Sequence, residues 1–209
     1  AYRKMIALIG ILVVYQIVYQ MLMCQLIHQY YYISNNSNPL GSKHLLDRAN
    51  DRSTYSQQHA KYHPIIRDYL NRFSYYDIFL VDETGTIVYS VFKELDFGTS
   101  LKTGPYSQSN FAQAFQKALS LEQGSSILVD FKTYTPSYEA PASFIASPIF
   151  DNGERIGVLI FQMPLDRINQ VATNSTGLGL SGETLLIGKD GLMRSDSILK
   201  KDTHSVVAS

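Results

Sequence analysis

The fold is decided by Ser74-Tyr-Tyr-Asp-Ile-Phe-Leu-Val-Asp82 together with Thr86-Ile-Val-Tyr-Ser-Val-Phe92. Both runs are short, apolar and rich in aromatic and β-branched residues, which is typical of strands. Glu83-Thr-Gly85 lies between them and supplies a turn, so the sequence predicts two adjacent antiparallel strands. A small antiparallel sheet of this kind, with helices on one side, forms a cup that can bind a small molecule.

Helical and strand patterns alternate on both sides of this pair. Residues 43–73 place their apolar side chains on one helical face, although Pro64 predicts a break or a new helical start near His63. Residues 111–121 predict a second amphipathic helix, with Ser109 or Asn110 as its N-cap. Three further strands and a short exit helix are predicted at residues 126–131, 142–150, 155–163 and 165–171.

The last part of the chain repeats the pattern with which the sheet opens. Residues 182–187 and 192–195 form two short apolar runs, joined by Lys189-Asp-Gly191. They follow the same strand, turn and strand order as residues 75–92. We interpret residues 173–209 as the linker and first strands of a second copy of the same module.

Composition excludes some classes of protein. The 209 residues carry 18 basic and 18 acidic side chains, so the formal net charge is zero, which argues against nucleic acid as a partner. Cys24 is the single cysteine and excludes an intramolecular disulfide. Tyrosine occurs fifteen times and tryptophan not at all. A tyrosine ring can pack in a pocket wall while its hydroxyl bonds a ligand, although most tyrosines serve in cores or interfaces.

The N-terminal segment is apolar. Residues 5–27 contain no charged side chain and follow Arg3 and Lys4. As a helix, a segment of this length would cross a hydrocarbon core of roughly 30 Å, and the positive-inside rule would then place the residues after His28 outside the cell membrane. The alternative is a dimerisation helix, because Gln16 and Gln20 belong to a polar stripe that lipid would not favour. The residues leave both alternatives open.

Candidate ligand-binding residues lie where the predicted strands end. Asp130 could pair with a ligand amine at the rim of the cup, or it could cap a loop or pair with Lys132. Lys93 could meet a ligand carboxylate, although an exposed lysine is the commoner case. The predicted pocket wall consists of aromatic residues: Tyr89, Tyr106, Tyr134, Tyr138 and Phe144.

No motif indicates catalysis, a metal or a cofactor. Gly177-Leu-Gly179-Leu-Ser-Gly182 has dinucleotide-binding spacing, but a helical pattern precedes it and a strand follows, which reverses the required order. His59 and His63 have the i, i+4 spacing of a zinc pair, yet they lack the glutamate of a metalloprotease motif. We therefore expect no enzyme activity, no metal and no cofactor.

Four segments carry a more specific pattern: Tyr75-Tyr-Asp-Ile-Phe-Leu-Val81, Gly104-Pro-Tyr106, Gly157-Val-Leu-Ile-Phe-Gln-Met-Pro164 and Asp190-Gly-Leu-Met-Arg-Ser-Asp-Ser197. They resemble the extracytoplasmic double Cache sensor domains of bacterial signalling proteins, and the resemblance covers roughly residues 38–209. Members of that family are chemoreceptors, sensor histidine kinases and nucleotide cyclases. The resemblance implies a long N-terminal helix, a membrane-distal PAS-like domain and a membrane-proximal one.

The predicted fold is therefore α+β, with a long N-terminal helix, a PAS-like domain built on a central antiparallel sheet, and the start of a second PAS-like module. Residues 1–33 are the apolar helix, as a membrane anchor or a dimerisation helix, and residues 34–73 are a loop and helix that lead into the sensor. Residues 74–172 are the membrane-distal domain, and residues 173–209 belong to the membrane-proximal one.

The predicted function is that of an extracytoplasmic, periplasmic sensor in a receptor of the bacterial inner membrane. A small molecule, such as an amino acid, an amine or a carboxylate, is expected to bind the distal pocket and to shift a homodimer formed through the N-terminal helix. The alternative is a structural or protein-interaction module that senses through a partner.

Overall fold

The computed structural model describes residues 26–174, 176–179 and 181–207. Most of the apolar segment at residues 5–27, and with it the choice between a membrane anchor and a dimerisation helix, lies outside the described residues. Residues 26–29 are helical and run into a π-helical turn, Tyr30–Ser34. Within the described part of the chain, no helix has the length and apolar character that crossing a bilayer requires.

Helix α1, Thr54–Phe73, is the longest helix that the structure describes. The Ser53 hydroxyl caps it by accepting a hydrogen bond from the Ser56 N–H at 3.0 Å. The helix continues through Pro64, so the predicted break near His63 is wrong. The buried side chains of His59, His63 and Leu70 hold this face of the helix against the protein, and that packing outweighs the missing proline N–H.

A five-stranded antiparallel sheet forms the centre of the molecule, in the order β2-β1-β5-β4-β3. Its strands are β1 Asp77–Asp82, β2 Ile87–Ser90, β3 Ile127–Tyr134, β4 Ala140–Asp151 and β5 Glu154–Gln162. The predicted strand pair and the three later strands are therefore confirmed, as is the turn between β1 and β2, where Gly85 has a φ of +90°.

A bulge in the first strand pair decides which side chains reach which face of the sheet. Leu80 pairs with Tyr89, but the next residue, Val81, pairs with Ile87. This extra residue in β2 turns Ile87 and Tyr89 to opposite faces, although they are two positions apart. Ile87 joins the apolar core on one face, and Tyr89 packs with Ile78 on the other.

Helices cover both faces of the sheet. Helix α2, Asn110–Ala118, begins after Ser109, whose hydroxyl caps it by accepting from the Ala112 N–H at 3.1 Å. Of the two predicted caps, Ser109 and Asn110, the structure thus selects Ser109. Its buried side packs on the larger apolar core, which includes Phe79, Phe144 and Ile160. Helix α1 meets the opposite face, where Leu70 packs in the same cluster as Ile78. The predicted α+β fold with a central antiparallel sheet is confirmed, whereas the expectation of helices on one side only is wrong.

After helix α3, Leu165–Ala172, the described residues contain turns and one isolated antiparallel bridge, Ile187 with Met193. Two backbone hydrogen bonds flank the bridge: the Gly188 N–H donates to the Leu192 carbonyl at 2.8 Å, and the Arg194 N–H donates to the Leu186 carbonyl at 2.7 Å. Residues 182–187 and 192–195 thus come together in antiparallel fashion, but as a bridge and not as two strands. The division into two modules stays a prediction.

Candidate ligand-binding site

Four charged residues enter the interior at the end of the strand pair β1–β2. Asp77 begins β1, and Lys93, Glu94 and Asp96 follow the end of β2. Asp77 and Asp96 are fully buried, Lys93 is 2% exposed, and Glu94 is partly buried. We call these four residues the charged cluster. Charged side chains are almost never fully buried without a partner, so their contacts decide what the site can do.

Asp77 holds the backbone where the chain leaves β2. Its Oδ1 atom accepts hydrogen bonds from the N–H groups of Ile78 at 2.6 Å, Val91 at 2.8 Å and Phe92 at 3.3 Å. Burial, followed by the negative charges of Asp96 and Glu94, raises the pKa of the Asp77 carboxyl well above its usual value. Asp77 therefore fixes the backbone at the end of β2, and its carboxylate adds negative charge to the cluster.

Glu94 is bonded through both carboxylate oxygens. Oε1 accepts from the Tyr76 hydroxyl at 2.9 Å, and Oε2 accepts from the Ser137 hydroxyl at 3.2 Å. The Ser137 oxygen in turn accepts from Nε2 of Gln162 at 3.0 Å. Burial, together with the charge of Asp96, raises the pKa of Glu94 to about 7. Glu94 is thus held in position and yet exchanges its proton near neutral pH.

Asp96 is satisfied on one side only. Its Oδ2 atom accepts from the Tyr134 hydroxyl at 2.7 Å, whereas Oδ1 has no hydrogen-bond partner among the residues that the structure describes. Burial raises the pKa of Asp96 to about 6. The side-chain carbonyl oxygen of Gln162, Oε1, is a second buried acceptor without a partner in the described chain.

Lys93 is the cation of the cluster. Its Nζ atom donates to the Ser90 carbonyl and lies 4.3 Å from the ring centre of Tyr89, 5.0 Å from that of Phe97 and 5.7 Å from that of Tyr32. Such rings stabilise an ammonium through their negative faces. Burial lowers the pKa of Lys93 to about 7, while the neighbouring Asp77 carboxylate acts to raise it.

A cavity of about 130 Å³ borders the cluster. Three segments line it: the N-terminal loop through Ile33, Leu40 and Lys43, the chain after β2 through Lys93 and Glu94, and the turn after β3 through Tyr138. We call it the rim pocket. Tyr138 has a positive φ of 56°, and its side chain is 66% exposed. The rim pocket therefore opens beside the exposed Tyr138 and reaches the charged residues Lys93 and Glu94.

Three of the seven residues predicted from the sequence lie at or next to this site. Lys93 and Tyr138 line the rim pocket, and Tyr134 donates a hydrogen bond to Asp96 of the charged cluster. The ring centre of Tyr106 is 6.1 Å from that of Tyr134. Tyr106 is therefore a neighbour of the cluster and not part of the pocket lining.

The other three predicted residues do not line the rim pocket. The Tyr89 hydroxyl is 2.7 Å from Nδ1 of His63, on the face of the sheet that α1 covers. Phe144 is fully buried in the apolar core, where its ring stacks on Phe111 at 4.7 Å. Asp130 receives two hydrogen bonds from the Arg194 guanidinium, at 2.9 Å and 2.8 Å. Arg194, and not Lys132, is thus the partner of Asp130.

The two histidines of α1 belong to this second face. Their rings stack at 4.2 Å, and His63 uses both nitrogens: Nε2 donates to the His44 carbonyl and Nδ1 accepts from the Tyr89 hydroxyl, each at 2.7 Å. Burial, then the positive charge of Lys93, lowers the pKa of His59 to about 2 and that of His63 to about 4. Both histidines are neutral near pH 7: His63 fastens α1 to Tyr89 of β2, and Nδ1 of His59 bonds to the Asp47 carbonyl of the N-terminal loop at 2.7 Å.

Sequence reasoning missed Asp77, Glu94 and Asp96. The run Lys93-Glu-Leu-Asp96 has the composition of a solvated turn, and nothing in its spacing indicates burial. Asp77 does carry a signal, since it is the one charged residue inside the apolar run of residues 75–81. A carboxylate in such a run needs buried partners, and a search for those partners leads to the chain after β2.

No protein-family model and no curated protein sequence matches the chain. The solved structures to which it is similar are sensor domains of chemoreceptors and of a histidine kinase. The ligand-binding domain of the Pseudomonas fluorescens chemoreceptor CtaA, solved in complex with L-serine, is 16% identical, with 89% of this chain and 66% of that one covered and a TM-score of 0.43.

Two further structures give similar values. The sensory domain of the Campylobacter jejuni chemoreceptor Tlp3 is 14% identical over 83% of this chain and 62% of that one, with a TM-score of 0.49. The sensor domain of the V. cholerae histidine kinase DctB is 18% identical over 75% and 59%, with a TM-score of 0.43. The chain thus spans about three fifths to two thirds of the length of these domains, and a likeness at this identity concerns the fold and not the ligand.

Proposed function

We propose that this chain is the extracytoplasmic small-molecule sensor domain of a bacterial transmembrane receptor, a chemoreceptor or a sensor histidine kinase. The observation that carries the proposal is the charged cluster beside the rim pocket. Buried carboxylates with raised pKa values and an unpartnered oxygen destabilise a fold. Such groups concentrate at functional sites, where a ligand supplies the missing interactions.

The ligand sits in the rim pocket, between the N-terminal loop, the chain after β2 and the turn that carries Tyr138. Of the residues predicted from the sequence, Lys93 and Tyr138 contact it, and Tyr134 holds Asp96 of the neighbouring charged cluster. Because Lys93 also touches Tyr89 and lies near the two histidines of α1, a change at the pocket reaches the helix directly. A ligand that favours one position of α1 over another then shifts the equilibrium between them.

The receptor is a homodimer in which the outer face of α1 takes part. Four apolar side chains on this helix, at i, i+3, i+7 and i+11, are between 43% and 64% exposed: Tyr62, Ile65, Tyr69 and Phe73. A stripe of this spacing is typical of a helix that packs against another. The same stripe would serve the alternative function, that of a module which senses through a different protein. Sedimentation of the purified chain, which separates a self-dimer from a monomer, distinguishes the two.

The ligand claim is tested by binding. The purified chain is titrated with amino acids, amines and carboxylates of few carbon atoms, and heat and melting temperature are recorded. Leu40→Trp places a large ring at the mouth of the rim pocket, and Leu128→Trp makes the same change on an exposed position of β3. At least one compound should bind the parent chain and the Leu128 variant but bind the Leu40 variant at least tenfold more weakly. No response to any compound, or equal binding by both variants, would overturn the proposal.

A further inference from the structure

The wall of the rim pocket is largely apolar. Five of its lining residues have side chains without a polar atom: Ile33, Leu40, Phe92, Leu95 and Pro136. Leu40 and Leu95 are 75% and 60% exposed, and the exposed Tyr138 lines the same opening. Scattered apolar side chains on a surface need no explanation, but several around one opening indicate a binding site. The pocket thus offers apolar surface to a molecule that enters it.

The three charged residues of the lining have their charged ends bonded to other parts of the protein. Lys43 and Lys93 donate through Nζ to backbone carbonyls, and both oxygens of Glu94 accept from hydroxyl groups. The four partners are described residues outside the pocket lining: Asn36, Ser90, Tyr76 and Ser137. A charged group that entered the pocket would lose its hydration and would meet charges that are already bonded, so its burial would be costly.

The backbone around the pocket adopts a conformation that is costly for residues other than glycine. Lys93 and Tyr138 have positive φ values of 58° and 56°, and Glu139, which follows Tyr138, has a φ of 61°. Such residues persist where the surrounding structure enforces them, and they concentrate at ligand-binding sites. Two of the segments that meet at the pocket therefore carry a second mark of a binding site, independent of the apolar wall.

We propose that the rim pocket binds the uncharged alkyl end of its ligand, and that any charged group of the ligand stays at the mouth in contact with water. This assignment rests on the proposed function and names the chemical class of its ligand, a short-chain aliphatic compound. The volume sets the size of the alkyl end. An apolar cavity of about 150 Å³ holds one benzene molecule. The rim pocket, of about 130 Å³, therefore has room for about five carbon atoms.

Such a pocket recognises its ligand by the length of the alkyl chain more than by the head group. Each methylene that moves from water into the pocket raises the affinity about three- to fourfold. The gain ends when the chain fills the cavity, since further carbon atoms stay in water. A head group at the mouth contributes less, because an ion pair in contact with water changes the affinity by at most about fivefold.

The test varies chain length and head group separately. The purified chain is titrated by calorimetry with carboxylates whose alkyl chains have two to seven carbons, and with pentylamine and 1-pentanol, which share the five-carbon chain of hexanoate. Affinity should rise about three- to fourfold per carbon up to about five carbons, and less than about twofold per carbon beyond. The three five-carbon compounds should agree within about tenfold. Leu95→Asn places an amide in the wall and should weaken hexanoate binding by about fivefold or more. Leu128→Asn, at a position that is also 60% exposed but outside the pocket lining, is the matched control and should leave it unchanged.

Each other result counts against the assignment. Affinity that stays level with chain length, or a preference of more than tenfold for one head group, would overturn the alkyl site while leaving a small-molecule sensor in place. An undiminished gain up to seven carbons would indicate an open surface and would also overturn it. Equal hexanoate binding by Leu95→Asn and Leu128→Asn would place the chain elsewhere, for example on the exposed apolar stripe of α1. Binding of another compound of the broader panel, but of none in this series, would overturn the alkyl site alone. Failure of the whole panel would instead overturn the proposed function.

Discussion

Two parts of the interior are equally dry and differ in almost everything else. Under α2 the core is apolar, with the rings of Phe79, Phe111 and Phe144 within 4.5 to 6.5 Å of one another. At the end of the β1–β2 pair the interior holds Lys93 and Asp96, also at 2% and 0% exposure. The first part stabilises the fold by removing apolar surface from water. The second is tolerated only through hydrogen bonds and shifted pKa values.

Removing a ring from the apolar part should have the largest effect on stability. Phe111→Ala takes away a fully buried side chain that stacks on Phe144 and contacts Phe79, and the close packing around it prevents collapse of the cavity. We expect a loss of about 3–5 kcal/mol in the free energy of unfolding, measured by urea denaturation. Leu128→Ala, at a position that is 60% exposed, should change it by less than about 0.5 kcal/mol. A loss below about 1 kcal/mol for Phe111→Ala would show that this core is loosely packed.

The sequence predicted the apolar part well. Short apolar runs bounded by turn residues indicated all five strands, and the i, i+3, i+4 pattern after Ser109 and Asn110 indicated α2, because burial of apolar surface leaves a trace in the sequence. The same reasoning placed Phe144 in a pocket wall, although it fills the core. An aromatic residue on the inner face of a strand has the same sequence pattern whether it lines a pocket or fills the core. The packing of Phe111 on Phe144 shows that Phe144 fills the core.

The charged part could not be predicted in the same way. Burial of Glu94 and Asp96 depends on Tyr76 and on Tyr134, which is 38 residues from Asp96 in the sequence, and on a turn at Ser137. No periodicity connects residues so far apart. The prediction of a helix break at Pro64 was wrong for a related reason, since the contacts of His59 and His63 with other parts of the chain keep α1 continuous through it.

Removing the Tyr134 hydroxyl should distinguish the stability that comes from ring packing from the stability that comes from the hydrogen bond to Asp96. Tyr134→Phe keeps the ring in the apolar core but removes the 2.7 Å hydrogen bond to Asp96, and with it the side-chain donor that this carboxylate has among the described residues. At pH 8, where Asp96 is ionised, we expect a loss of about 1–3 kcal/mol in the free energy of unfolding. At pH 5 the cost should be smaller, because the pKa of Asp96 is raised to about 6 and the carboxyl is then neutral.

Urea denaturation at the two pH values measures this difference. Tyr62→Phe, which removes a hydroxyl from a half-exposed ring on α1, serves as the control and should have little effect at either pH. If Tyr134→Phe cost the same at pH 5 and pH 8, its effect would come from ring packing and the charge of Asp96 would have no part in it.

Glu94 should make the chain less stable as pH rises. Its pKa is raised from 4.5 to about 7, so between these values the folded chain binds more protons than the unfolded chain, and stability falls with rising pH. Glu94→Gln removes this dependence. The variant should gain on the parent chain through pH 5 to 7 and level off above 7, with a total of about 1–2 kcal/mol after allowance for partial solvent exposure.

Denaturation at pH 5, 6, 7 and 8 gives that difference directly. His59 and His63 have lowered pKa values and act in the opposite direction below pH 6.5, but they are present in both proteins and cancel. Glu122→Gln should show a flat difference over the same range. A Glu94→Gln variant that lost stability relative to the parent chain as pH rose would reverse the sign and refute the placement of Glu94 in a negative field.

Asp130 is also a carboxylate with a shifted pKa, but it lies in contact with water. Its replacement should therefore have the smallest effect on stability. Its side chain is 63% exposed and paired with Arg194, and hydrogen bonds from that guanidinium hold the pKa of Asp130 below its usual value. Stability from this pair is present above the unfolded pKa of about 4 and is lost as pH falls below it, opposite in sign to Glu94. Asp130→Asn should therefore cost about 0.5–1 kcal/mol at pH 7 in low salt, less in 1 M salt, and nothing at pH 2. An Asp130→Asn cost that ignored both salt and pH would mean that the Arg194 contact is held by shape and not by charge.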